Sequence, residues 1–165
     1  MKNNQIAMAN AHLDVNALVE EGIQQNRTWK GLPVGTTLGH MHLRVGDIPQ
    51  AQAFYHDVLG FDIMQNWNGA ALFVSAGGYH HHLGLNTWES RNAPPPPANA
   101  VGLRFYTIQL PDSTEVEHVH ARLQAAGHPV QKLDEHTLSL RDPWQNGILI
   151  TSKNLNTLDA VQAPL

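Results

Sequence analysis

Eleven histidines and no cysteine set the chemistry open to this chain of 165 residues. With thiolates absent, metal binding and acid–base work must run on imidazole and carboxylate. Two histidine groups have informative spacing. Gly39-His40-Met41-His42-Leu43-Arg44-Val45 alternates as a strand does, with His40, His42 and Arg44 on one face and Met41, Leu43 and Val45 on the other. Tyr79-His80-His81-His82 follows a Gly77-Gly78 turn and opens a run to Asn86 that reads as a further strand. In a regular strand His80 and His82 share the face of Gly84, and His81 has the opposite parity. If the two strands are neighbours, His40, His42, His80 and His82 converge as an all-imidazole site for Zn, Ni, Cu or Fe. The competing reading is structural: three histidines after Gly-Gly also suit a strand entry with one side chain exposed.

The elements that must position these groups are legible. Asp47 caps a helix with Pro49 in its first turn, an apolar stripe of Ala51, Phe54, Tyr55, Val58 and Leu59, and Gly60 as its stop. Strands are predicted near 61–65, 70–75 and 79–86, giving the order β-α-β-β-β. Residues 91–101 carry four successive prolines at 94–97 and form a stiff extended connector. The order then restarts. A strand at 103–110 precedes a helix capped by Asp112, with Glu115 three residues on as in a capping box, Val116, Val119, Leu123 and Ala126 as its stripe, and Gly127 as its stop. Strands near 129–133, 137–140 and 147–152 complete the second unit. A shift of 65 residues lays Val45-Gly46-Asp47 on Leu110-Pro111-Asp112 and Leu83-Gly84-Leu85 on Ile148-Leu149-Ile150. The chain is therefore α+β, two βαβββ modules related by a pseudo-twofold. Residues 1–36 form a lead-in with a short helix predicted over Asp14–Gly22. Module one spans 37–90, the connector 91–101, module two 102–154 and a tail 155–165.

Composition excludes several partners. The net charge is −4, with apolar residues at 42% and charged residues at 15%, so no basic face for nucleic acid and no Lys/Arg run for a membrane surface is present. No stretch reads as a signal peptide or a membrane span, which makes a cytoplasmic location the expectation. No nucleophile elbow or phosphate loop appears, and Glu115, Glu117, Asp134 and Glu135 lie on a helix and a turn, not as a facing carboxylate pair.

Gly39 to Asp47, then Phe54-Tyr55-His56-Asp57-Val58-Leu59-Gly60-Phe61, then Arg141-Asp142-Pro143-Trp144-Gln145-Asn146-Gly147, together resemble the vicinal oxygen chelate superfamily of glyoxalases, bleomycin-resistance proteins and extradiol dioxygenases. Trp29-Lys30-Gly31-Leu32-Pro33, Phe73 to His82 and Asn86-Thr87-Trp88 are similar to the C-terminal half of two-half catechol 2,3-dioxygenase-type proteins, over roughly residues 13–153. The resemblance implies an open cup-shaped sheet holding a divalent metal (Fe, Mn, Zn or Ni) that chelates vicinal oxygens of a substrate. It also implies a homodimer or a partner half-domain.

The family places metal ligands on the first and last strand of each module. The matching positions here are His40, Gly84, Phe105 and Leu149. One ligand in four slots does not build the usual two-histidine, one-carboxylate site within one chain. The family likeness implies a base histidine near His81 or His82, and Tyr79 beside them could donate to a bound oxygen. Three functions stay open: an extradiol ring-cleaving dioxygenase with a metal site incomplete in a single chain, a glyoxalase-type lyase or isomerase, and a metal-free module binding a small aromatic, with His40 and Tyr79 as polar anchors.

Overall fold

The computed structural model describes residue 9 and residues 11–154. The chain divides into two compact units at Gly39/His40. In the first, Asp14 caps helix α1 (Val15–Gln24), its side chain accepting from the Ala17 amide. The helix runs past Gly22, predicted as its stop. The left-handed turn comes instead at Asn26 (φ 42°).

The second unit repeats one design twice. Strand β1 (Met41–Arg44) leads to helix α2 (Ile48–Gln52), which widens into a π-helical segment over Ala53–Val58, then β2 (Asp62–Trp67), β3 (Ala71–Ser75) and β4 (Leu83–Asn86). Strand β5 (Tyr106–Gln109), helix α3 (Ser113–Ala125), β6 (Val130–Asp134), β7 (Thr137–Arg141) and β8 (Gly147–Thr151) follow. Each set forms a four-stranded mixed sheet, ordered β1-β4-β3-β2 and β5-β8-β7-β6, and neither closes into a barrel. The parallel pairs share one register: Met41 faces Leu83 and Tyr106 faces Ile148, each 65 residues apart from its counterpart. Both helices start as their caps require. Asp47 accepts from the Gln50 amide at 2.8 Å and Asp112 from the Glu115 amide at 3.0 Å. The Glu115 side chain, expected to reach back in a capping box, meets His118 instead.

The inner strands are buried on both faces, and membership of the apolar core follows strand alternation. Leu43, Val45, Leu72, Val74, Leu83 and Leu85 of module one join Leu138, Leu140, Ile148 and Ile150 of module two in one core under the helices. The modules are joined by polar contacts as well as by that core. Tyr55 donates to Asp142 Oδ2 at 2.8 Å and lies 3.4 Å from the Tyr106 hydroxyl, while Arg122 donates to the carbonyls of Val58 and Leu59. The π-helical widening lets the consecutive Phe54 and Tyr55 both point inward, at 1% and 0% exposure.

Burial, then each other and Asp142, push the Tyr55 phenol well above its ordinary ionisation range, and burial does the same for Tyr106. Their phenols stay neutral in the fold but ionise in the unfolded chain near pH 10. The stability held there is present below that pH and is lost as the pH rises. An alkaline titration followed by ultraviolet difference absorbance is expected to show two of the three tyrosines silent until the fold is lost. Reversible ionisation of all three in the folded protein would contradict the buried network.

Candidate metal centre

His40 stands immediately before β1, on the side-chain face that continues through His42 and Arg44. The predicted strand over residues 79–86 is shorter in the structure: β4 begins at Leu83. Two consecutive left-handed glycines, Gly77 (φ 66°) and Gly78 (φ 74°), end the β3 side of the turn, and residues 79–81 cross irregularly before His82 takes up the ladder bonds that lead into β4. Strand parity therefore does not govern His80 and His81, whereas His82, whose amide donates to the Val74 carbonyl and whose carbonyl accepts from the Met41 amide, keeps the face of Gly84 beside Ser75.

His81 turns inward. It is 6% exposed, and its ring centroid lies 4.5 Å from that of His40, 4.6 Å from His80, 5.5 Å from His42 and 5.0 Å from Phe73. One nitrogen from each of His40, His80 and His81 falls within a 4.8 Å set. Both ring nitrogens of His81 are buried with no hydrogen-bond partner. Such a polar group is costly unless something outside the protein satisfies it. Burial, then the neighbouring His40, His80, His42 and His82 in that order, lower the His81 pKa to about 4. At neutral pH it is a neutral imidazole with a lone pair to give, the form a metal ion takes.

The other two predicted ligands sit beside this set. His42 pairs across the sheet with Gly84, and its ring covers that glycine so closely that a Cβ there would lie 2.7 Å from Cε1. Glycine at the family slot is thus the floor on which His42 lies. Burial and the nearby His40 lower the His42 pKa, so it too is neutral. His82 turns toward β3: the Ala76 amide donates to its Nδ1 at 3.3 Å, and the Ser75 hydroxyl lies 2.8 Å from the same atom. Nδ1 is therefore an acceptor and the proton sits on Nε2. Tyr79, 41% exposed, packs its ring at a tilt against both neighbours, centroid to centroid 4.2 Å from His80 and 4.9 Å from His82.

Three imidazoles with room for further ligands fit a borderline divalent ion, and the unpartnered His81 nitrogens are the observation that tests the fit favourably. Among the described residues, module two offers no counterpart. The positions that match His42, Gly84 and Phe73 in sheet register are Thr107, Leu149 and Ser139. Leu149 is 2% exposed and lines a shallow hollow with Thr107, Thr137 and Thr151. The sequence reading missed the inward turn of His81, because only the length of β4 decides it. The signal available was the Gly-Gly pair, which marks where regular alternation stops.

Comparison with known proteins gives the family and the fold. The family described as the Glyoxalase/Bleomycin resistance protein/Dioxygenase superfamily matches residues 37–148. A catechol-2,3-dioxygenase of Bacillus subtilis (strain 168) is 48% identical over 137 residues, 82% of this chain and 47% of that protein. The chain spans about half the length of that curated relative. Among solved structures, a lactoylglutathione lyase from Agrobacterium tumefaciens superposes with a TM-score of 0.54 at 23% identity, over 72% of this chain and 95% of that one. A glyoxalase-like protein from Bacillus halodurans gives 0.57 at 19% identity, over 71% and 96%. The antibiotic binding protein TnmS3 from Streptomyces sp. CB03234 gives 0.52 at 22%, over 73% and 98%. At these identities the structures share the fold.

Proposed function

Because the chain belongs to the Glyoxalase/Bleomycin resistance protein/Dioxygenase superfamily, we propose that module one holds a divalent metal on His40, His80 and His81 and presents it to an aromatic vicinal diol for extradiol ring cleavage. The observation that carries this reading is the buried His81 ring, with two unpartnered nitrogens amid a three-imidazole set. The similarity to the Bacillus subtilis dioxygenase supports the reaction class. The familiar carboxylate ligand is missing from the matching positions, so the donor set is all nitrogen, and Zn, Ni, Fe or Mn in the divalent state are the candidates.

A bound divalent ion supplies Lewis acidity and open positions for two neighbouring oxygens and, if redox-active, for dioxygen. The chain's own groups do the rest. Phe73 packs against His81 on the inner side and keeps water from the ring. His42, neutral and 5.1 Å from His40 between ring centroids, can accept the proton of a substrate hydroxyl. Tyr79 on the rim can donate to a substrate oxygen. His82, whose Nδ1 already accepts from Ala76, offers only Nε2–H and so acts as a donor.

Assembly is part of the proposal. β1 and β5 are end strands of their sheets, where a second copy or a companion half can add. The test is one preparation reconstituted with Fe²⁺, analysed for bound metal, then given catechol under air. About one ion per chain and a yellow ring-fission product are expected. Absence of metal and colour overturns the reading and leaves a metal-free aromatic-binding module. Metal without ring cleavage directs attention to a lyase or isomerase.

A further inference from the structure

One charged side chain on the strand face of His40 and His42 has no task in the chemistry above. We propose that Arg44 determines specificity at this site by receiving an anionic substituent, a carboxylate on a short arm, of the aromatic vicinal diol. The inference rests on the vicinal-diol reading of the metal centre.

Position is the first argument. Arg44 follows His42 at the next same-face position of β1, about 7 Å further along at strand spacing. The adjoining strand β4 presents Gly84 opposite His42 and the 8%-exposed Asn86 opposite Arg44, so no large side chain of β4 walls off the path between imidazole and guanidinium. A ring with its two oxygens at the histidines and a carboxylate on the far side is a ligand of matching length and polarity.

Energetics is the second. Arg44 Nη2 pairs with Glu89 Oε2, but the two side chains are 66% and 69% exposed. An ion pair so open to water contributes little to folding. A guanidinium has five N–H donors, and the single Glu89 contact leaves an edge that can hold a carboxylate in the bidentate manner.

The third argument is the repeat. The 65-residue shift lays His40, His42 and Arg44 on Phe105, Thr107 and Gln109. Strands β1 and β5 have equal length and the same register with their neighbours, so the fold is built as well with Phe-Thr-Gln as with His-His-Arg. The polar row in module one therefore serves something other than the sheet.

The experiment is calorimetric titration of the Zn²⁺-loaded protein under argon with catechol and with 3,4-dihydroxyphenylacetate. The wild type is expected to bind the anionic diol about tenfold or more tightly, as a charge-assisted contact allows. R44Q brings the ratio of the two affinities close to one, and R44K retains an intermediate preference. E89Q, which removes the competing carboxylate, raises the ratio. Added salt lowers it in the wild type. Equal affinities in the wild type, or a preference that survives R44Q, overturn the assignment and leave the vicinal-diol reading standing. Failure of both ligands to bind overturns the two together.

Discussion

Replacing His81 by alanine is expected to lower metal affinity by about 100-fold or more, from near-stoichiometric loading to traces, while His82→Ala retains the ion. The contrast follows from where two adjacent side chains point. His81 is buried, unpartnered at both nitrogens and within the imidazole set, whereas His82 already takes a hydrogen bond from Ala76 and lies next to Ser75. Thermal unfolding gives a second measure. A ligand that binds only the folded state stabilises it, so Zn²⁺ raises the melting temperature of the wild type and leaves that of the His81→Ala variant unchanged. Equal loading of the two variants, or loss of metal in His82→Ala alone, would refute the assignment of ligands.

Asp142→Ala is expected to be strongly destabilising, costing about 3–5 kcal/mol in urea unfolding. Asp142 is 1% exposed and accepts from the Tyr55 hydroxyl, the Trp144 and Asn146 amides and the Asn146 side-chain amide, all at 2.8–2.9 Å. Alanine leaves the buried Tyr55 hydroxyl and Trp144 amide without that acceptor. Because Tyr55 is on the module-one helix and Asp142 in the β7–β8 turn, the loss also loosens the join between modules. Tyr55→Phe removes one of the four bonds and is expected to cost about 1 kcal/mol. The double variant should cost less than the sum, since the two share a contact. Additive losses would show that the inter-module bond contributes nothing.

Much of this molecule is legible in its sequence. The caps Asp47 and Asp112 sit where helices begin, the stripes Phe54-Tyr55 and Val116-Val119-Leu123 are buried, and the parallel pairs of the two modules repeat at the anticipated shift. These signals are local: a cap acts over three residues and a stripe over two turns. Strand ends were less legible. The run from Tyr79 to Asn86 carries residues that a strand tolerates, and only the pairing of β4 with β1 and β3 decides that it starts at Leu83.

The sequence by itself therefore determined the repeat, the α+β class, the supply of imidazole and the absence of the usual carboxylate at the matching positions. Tertiary structure alone decided which imidazoles meet. Alternation predicts side-chain direction only while the ladder continues, and the left-handed Gly77-Gly78 turn interrupts it at His80 and His81, before His82 resumes it. It likewise decided that Tyr55 finds Asp142, 87 residues away, because a buried hydroxyl takes whatever acceptor the packed core brings within reach.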